Sequence, residues 1–175
     1  MKTTLNAIRE HAPCAERWKK LLTYLGKTEA DDEPLSLLTI LDSNGLDDAL
    51  WALRAVEGYD REIRLYAVWC ARRVEHLLTD RRSRDALDVA ERYARGRATR
   101  EELDAAARAA AYAADDAAAY AADARAGAAA AAAVAAARDA AWDARDAAWD
   151  AQAAELRRLC ECIDAGVDPY PEEAL

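Results

Sequence analysis

Between Ala105 and Ala154, 32 of 50 residues are alanine, and no other feature of the chain restricts its fold as strongly. Alanine is the best helix former, so this stretch reads as helix. Thr99 and Glu102 make a capping box at its start, and nothing stops the helix before Gly166. Unbroken, it would span ~100 Å at 1.5 Å per residue, far more than one small domain can cover. Gly127, in ARAGAAA, is the place for a hairpin. Glycine inside a helix costs only about 1 kcal/mol, so a continuous or kinked helix stands as the alternative.

The preceding sequence predicts a series of shorter helices. Thr4 caps the first, which stops at Pro13, and a second runs from about Cys14 to Leu25 and ends on Gly26. KTEADDEP is a loop, Pro34 opens a helix through Leu41, and Asp42-Ser43-Asn44-Gly45 is a turn. Leu46 to Val56 forms the next helix, and Asp60 caps another through Leu78. There Ile63, Tyr66, Ala67, Cys70, Val74 and Leu77 share a face widened by Leu65 and Trp69, which predicts the most buried helix of the chain. Ser83 starts a helix that ends near Gly96. No strand-period pattern is visible. The expected fold is all-α: a bundle of short helices over residues 1–98, then a long alanine-rich hairpin or kinked helix over 99–167 packed on it, and a tail at 168–175, together one structural domain.

Within the alanine-rich part, RDAAWDARDAAWDA (residues 138–151) is one heptad written twice. At 100° per residue, Asp139, Asp143, Asp146 and Asp150 form one stripe, alanines the opposite arc, and Trp142 and Trp149 the boundary, with Arg138 and Arg145 four residues before each indole. The bland explanation is in-frame duplication of a soluble helix in which tryptophan fills gaps beside small neighbours. The functional one is an aromatic and acidic face that grips a basic protein surface, since tryptophan and arginine dominate interface hot spots. Mimicry of a DNA backbone is a third reading. The alanine arc also suits self-association into a homo-oligomer.

Charge narrows the partners. Residues 1–98 hold 17 Lys+Arg and 17 Asp+Glu, whereas residues 99–175 hold 7 and 16, so the net charge of −9 falls in the C-terminal part. A nucleic-acid binder would show the opposite sign, so direct nucleic-acid binding is not expected. No run approaches the roughly 18 bulky apolar residues of a membrane span, and MKTTLNAIREHAPCAERW lacks the apolar core of a signal peptide. The expectation is a cytoplasmic protein without a membrane partner, its four cysteines (Cys14, Cys70, Cys160, Cys162) being ordinary thiols.

Candidates for chemistry are sparse. His11 with Cys14, and Cys160 with Cys162, lack the paired arrangement of a zinc site, and Gly26-Lys27-Thr28 lacks the upstream glycine of a phosphate loop. No metal or cofactor is expected. The acids Asp31, Asp32, Glu33 and Asp47, Asp48 are the places for an enzymatic alternative, although loops and helix first turns carry such residues for ordinary dipole reasons. Arg72, Arg73, Arg81, Arg82 and Arg84 form the densest basic patch, suited to an anion or to the acidic hairpin of the same chain.

The segments LGKTEADDEPLSLLTILDSNGLDDALWALRAV, DREIRLYAVWCARRVEHLLTD and ALDVAERYARG, within residues 4–104, resemble a family of alanine-rich proteins of bacteria and their phages known as immunity proteins of polymorphic toxin systems. The resemblance implies a binding protein that neutralises a toxin and carries no catalytic residue. In a phage, the same architecture would suit a counter-defence inhibitor of a host protein. The sequence therefore leads to a non-enzymatic, protein-binding inhibitor whose contact residues are Asp139, Trp142, Asp143, Asp146, Trp149 and Asp150. A self-assembling scaffold and an enzyme using the acidic loops are the rivals.

Overall fold

The computed structural model describes residues 1–73, 75–124 and 148–172. The chain is mostly helical, as expected: α1 (Leu5–Glu10), α2 (Ala15–Leu25), α3 (Leu37–Asn44), α4 (Leu46–Ala52), α5 (Asp60–Arg72), α6 (Arg81–Ala94), α7 (Arg100–Ala124) and α8, described over 148–164. One small sheet is present as well, β1 (Lys2–Thr3) paired antiparallel with β2 (Leu35–Ser36), Lys2 opposite Ser36 and Thr3 opposite Leu35. Two-residue strands are too short for an alternating pattern to be read. Gly127, and with it the choice between hairpin and continuous helix, lies outside the described residues.

The chain divides into two compact units: Met1–Ile63 with Ala151–Leu175, and Arg64–Asp150. The division falls inside α5, whereas the change in composition falls near residue 98.

The first unit is built from both chain ends. Met1 is fully buried, its ammonium 2.9 Å from an Asp164 carboxylate oxygen and its carbonyl accepting the Leu37 amide at 3.1 Å. Thr4 caps α1 by accepting from the Ala7 amide, and Gly26, at φ +66, ends α2 as read from sequence. Between these helices Ala12 sits at φ +53, a left-handed conformation that a Cβ disfavours. The core joins Leu5 and Ile8 of α1, Leu37 and Ile40 of α3, Leu46 and Ala49 of α4 and, from α8, Leu156, Leu159 and Cys160. The i, i+3, i+4 spacing of the α8 residues turns one narrow stripe inward.

Three expectations for this unit are corrected. Pro34 does not open α3: residues 35–36 extend into β2, and Ser36 caps the helix by accepting from the Leu38 amide at 3.3 Å. Asp42-Ser43-Asn44 is not a turn but the last part of α3, and only Gly45 breaks the helix, at φ +93 and ψ −178, a conformation almost confined to glycine. The helix starting at Leu46 stops at Ala52 and tightens into a 3-10 turn over Leu53–Ala55.

In the second unit, α6 and α7 form a helical hairpin. Gly96, at φ +71, makes the turn, with the Arg97 amide donating to the Arg92 carbonyl at 2.7 Å. The capping box forms as predicted: the Glu102 amide donates to Thr99 Oγ1 at 3.2 Å, and the Thr99 amide to the Glu102 carboxylate at 2.7 Å. Helix α6 starts earlier than Ser83, because Asp80 caps it, accepting from the Arg82 amide at 2.8 Å. Helix α5 ends at Arg72 rather than continuing to Leu78, and a 3-10 turn over Glu75–Leu77 follows. The buried residues of α5 are Leu65, Tyr66 and Val68, while Ala67 is exposed and Cys70 half-buried, so the inward stripe is rotated from the predicted one. Large side chains decide which stripe goes inward, because each removes more apolar area from water than alanine or cysteine. Val74 lies outside the described residues. Among the described residues, no helix is long and apolar enough to cross a membrane.

Candidate functional site

The first unit carries a cleft of about 210 Å³ enclosed by α1, α2, α3 and α4. Helical spacing explains its lining. Cys14 and Trp18 lie one turn apart at the start of α2, Ile40 and Asn44 one turn apart on α3, and Asp48, Trp51 and Ala52 share a face of α4, with Ile8, Pro13 and Arg17 completing the wall. The surface is mainly apolar, with two indoles and a short polar run.

That polar run is tightly specified. Arg17 donates to Asp48, and Asn44 Nδ2 donates to the other Asp48 oxygen at 2.7 Å and to the Arg17 carbonyl at 2.9 Å. Both acceptors of the Asn44 amide group are oxygens, so the amide cannot flip without setting oxygen against oxygen. Its own Oδ1 is buried and has no hydrogen-bond partner among the described residues. The hydrogen bond it donates to Asp48 raises the Arg17 guanidinium above its ordinary value, so that residue stays charged. Around Trp51, the Arg54 guanidinium lies 4.6 Å from the ring centroid, and the His11 ring meets the indole edge-on at 6.4 Å.

The residues singled out from sequence fall elsewhere. Asp139, Trp142, Asp143 and Asp146 lie outside the described residues, while Trp149 is half-buried and Asp150 exposed at the start of the described part of α8. The acidic loop turns inward on a lysine: Lys27 pairs with Asp31 and, at 2.7 Å, with Glu33, and Asp32 accepts from Asn6 at 2.9 Å. Lys27 is what lowers the Asp31 carboxyl below its ordinary value. Of the second acidic pair, Asp47 is exposed on the first turn of α4 and Asp48 enters the cleft. His11 contacts Trp51, and among the described residues no group of three or more metal-ligating side chains gathers.

The basic patch is occupied locally. Arg72 spans Glu75, Asp88 and Glu91 at 3.1, 2.8 and 3.0 Å. Burial works against its charge, but these hydrogen bonds outweigh burial and raise its pKa. Arg73 lies over Trp69, Arg81 pairs with Asp85, Arg82 with Asp80, and Arg84 donates to the Leu78 carbonyl.

Folding also redistributes charge. The first unit contains 10 Lys+Arg and 18 Asp+Glu, the second 14 and 15, so nearly the whole net charge belongs to the unit that carries the cleft. Along the sequence the same charge falls in residues 99–175, and it is the joining of residues 151–175 to the first 63 that moves it to this unit. Trp18, Trp51 and Asn44 were passed over in the sequence. The available signal was that arginine and tryptophan are neighbours at Arg17-Trp18. Compared with family models, with curated proteins and with solved structures, the chain matches none.

Proposed function

We propose that the chain is a non-enzymatic, protein-binding inhibitor of the immunity-protein kind, neutralising a toxin or a host defence protein by docking on its basic surface. The observation that carries this reading is the coincidence, in one compact unit, of a net acidic charge and a cleft lined by Trp18, Trp51 and Arg17. Acidic surface steers a basic partner and raises its encounter rate. Tryptophans around a small concavity supply the anchoring energy that a flat charged surface lacks. The stripe of Asp139, Trp142, Asp143, Asp146, Trp149 and Asp150 is the second contact surface in this proposal, extending the same acidic and aromatic chemistry.

The test is affinity capture from bacterial lysate, followed by titration of the purified partner against wild type, Glu16→Lys with Asp47→Lys (two exposed acids, in the first turns of α2 and α4), and Trp142→Ala with Trp149→Ala. The expected result is a basic protein whose affinity falls with added salt and on charge reversal, at unchanged helicity. Equal affinity for wild type and both variants, or a partner without a basic surface, would overturn the proposal.

A further inference from the structure

We infer that the cleft of the first unit receives an arginine side chain of the partner, its guanidinium meeting Asp48 in place of Arg17. This inference rests on the protein-binding reading and names the chemistry of its anchor.

Size comes first. A cleft of about 210 Å³ is smaller than the roughly 300–1,000 Å³ of sites for drug-sized ligands, and suits one side chain. Its lining then selects an occupant that is apolar along its length and cationic at its end. Ile8, Pro13 and Ile40 can cover a methylene stem, Trp18 and Trp51 add indole surface, and Asp48 is the carboxylate among them. A planar, weakly hydrated guanidinium fits aromatic faces and carboxylates better than a compact ammonium does.

The cleft already pairs a guanidinium with its carboxylate, Arg17 capping Asp48, and the Trp51 ring already carries a second guanidinium, that of Arg54. The Arg17 side chain is 54% exposed whereas Asp48 is 14% exposed, so the cation is the loosely held member and the anion the fixed one. Asn44 holds Asp48 in place, and the buried Oδ1 of Asn44, without a hydrogen-bond donor among the described residues, adds partial negative charge beside it. Because solvent screens the half-exposed Arg17 side of the pair, an incoming arginine that also buries its stem can displace it. The excess of acids over bases in this unit favours such a cation over an anionic or neutral occupant.

The experiment is an NMR titration of the full chain, reading the indole N–H signals of Trp18 and Trp51. The probe is N-acetyl-L-arginine amide, with the citrulline analogue as its uncharged isostere. Arginine should shift both signals saturably, and citrulline should bind about tenfold more weakly. Arg17→Ala should tighten arginine binding about fivefold by removing the competitor, and Asp48→Asn should weaken it by a similar factor while keeping an oxygen for Asn44. Equal binding of citrulline and arginine, no gain in Arg17→Ala, or shifts spread away from the two indoles would overturn the inference. If arginine leaves the cleft untouched while a basic protein still binds the chain, the anchor is wrong and the protein-binding reading stands. If arginine fills the cleft as described and basic proteins do not bind, the site stands and the inhibitor reading falls.

Discussion

Arg61 grips Asp168 through two parallel hydrogen bonds of 3.0 and 3.1 Å across 107 residues of sequence, and the same guanidinium donates to the Tyr170 carbonyl at 3.0 Å. The segment after α8 is thereby held on the start of α5, and the Tyr170 side chain is buried, with Arg158 over its ring. Arg61→Ala should destabilise the first unit by about 1 kcal/mol, a figure already reduced because Asp168 is half exposed to screening solvent. Urea unfolding of wild type and variant measures it, and an unchanged midpoint would show that the clamp contributes nothing.

Ala12 provides a test of opposite sign. Its φ of +53 places a Cβ where left-handed backbone disfavours one, immediately before Pro13. Ala12→Gly should stabilise the chain by about 0.5–1 kcal/mol, the relieved strain exceeding the added entropy of the unfolded glycine. A lower melting temperature in the variant would contradict the assignment of strain.

The cysteines should separate by reactivity. Cys14 is exposed, while Cys160 is fully buried, and burial together with the charges of Asp164 and Glu161 pushes its thiol up to about 11 despite the nearby ammonium of Met1. Alkylation at neutral pH followed by mass spectrometry should mark Cys14 first and Cys160 only after denaturant is added. Labelling of both at one rate in native buffer would contradict the packing of α8.

Acid should weaken the fold through identifiable carboxylates. Asp31, Asp80 and Glu102 have folded-state values below their ordinary 3.8, 3.8 and 4.5, owing first to Lys27, to Arg82 and to the Thr99 amide respectively. A depressed carboxyl stabilises the fold fully above its unfolded value, and that contribution disappears as pH falls through the folded value. Melting temperature should accordingly hold from neutrality to about pH 5 and decline below it. In Lys27→Met the decline should be shallower, since Asp31 then loses the partner that depresses it; an identical profile would remove Lys27 from the account.

Packing of α8 can be tested directly. Leu159 is fully buried, so Leu159→Ala should cost about 2–5 kcal/mol through lost transfer energy and the cavity left behind. A loss well below that range would mean that the α8 stripe is not part of the first unit's core.

Much of this organisation was legible because it is local. The Thr4 cap, the Gly26 stop and the Thr99 and Glu102 box each depend on residues within one turn, so the side chains that make them are visible together in the sequence. Ser36 was missed because Pro34 is the stronger local signal, and only pairing with β1 extends residues 35–36. Asn44 read as a turn residue in isolation, although its amide bonds to Arg17 and Asp48 hold the cleft together.

The amino-acid sequence alone determined the helical class and most helix starts, since propensity, capping and backbone hydrogen bonding act within a few residues. Tertiary structure decided which stripe of α5 is buried, where the negative charge accumulates, and that Trp18, Asn44, Asp48 and Trp51 line one cleft. Those outcomes depend on burying apolar area between segments far apart in the chain. Several pairings of amphipathic faces satisfy the same local pattern, and only the packed molecule selects one.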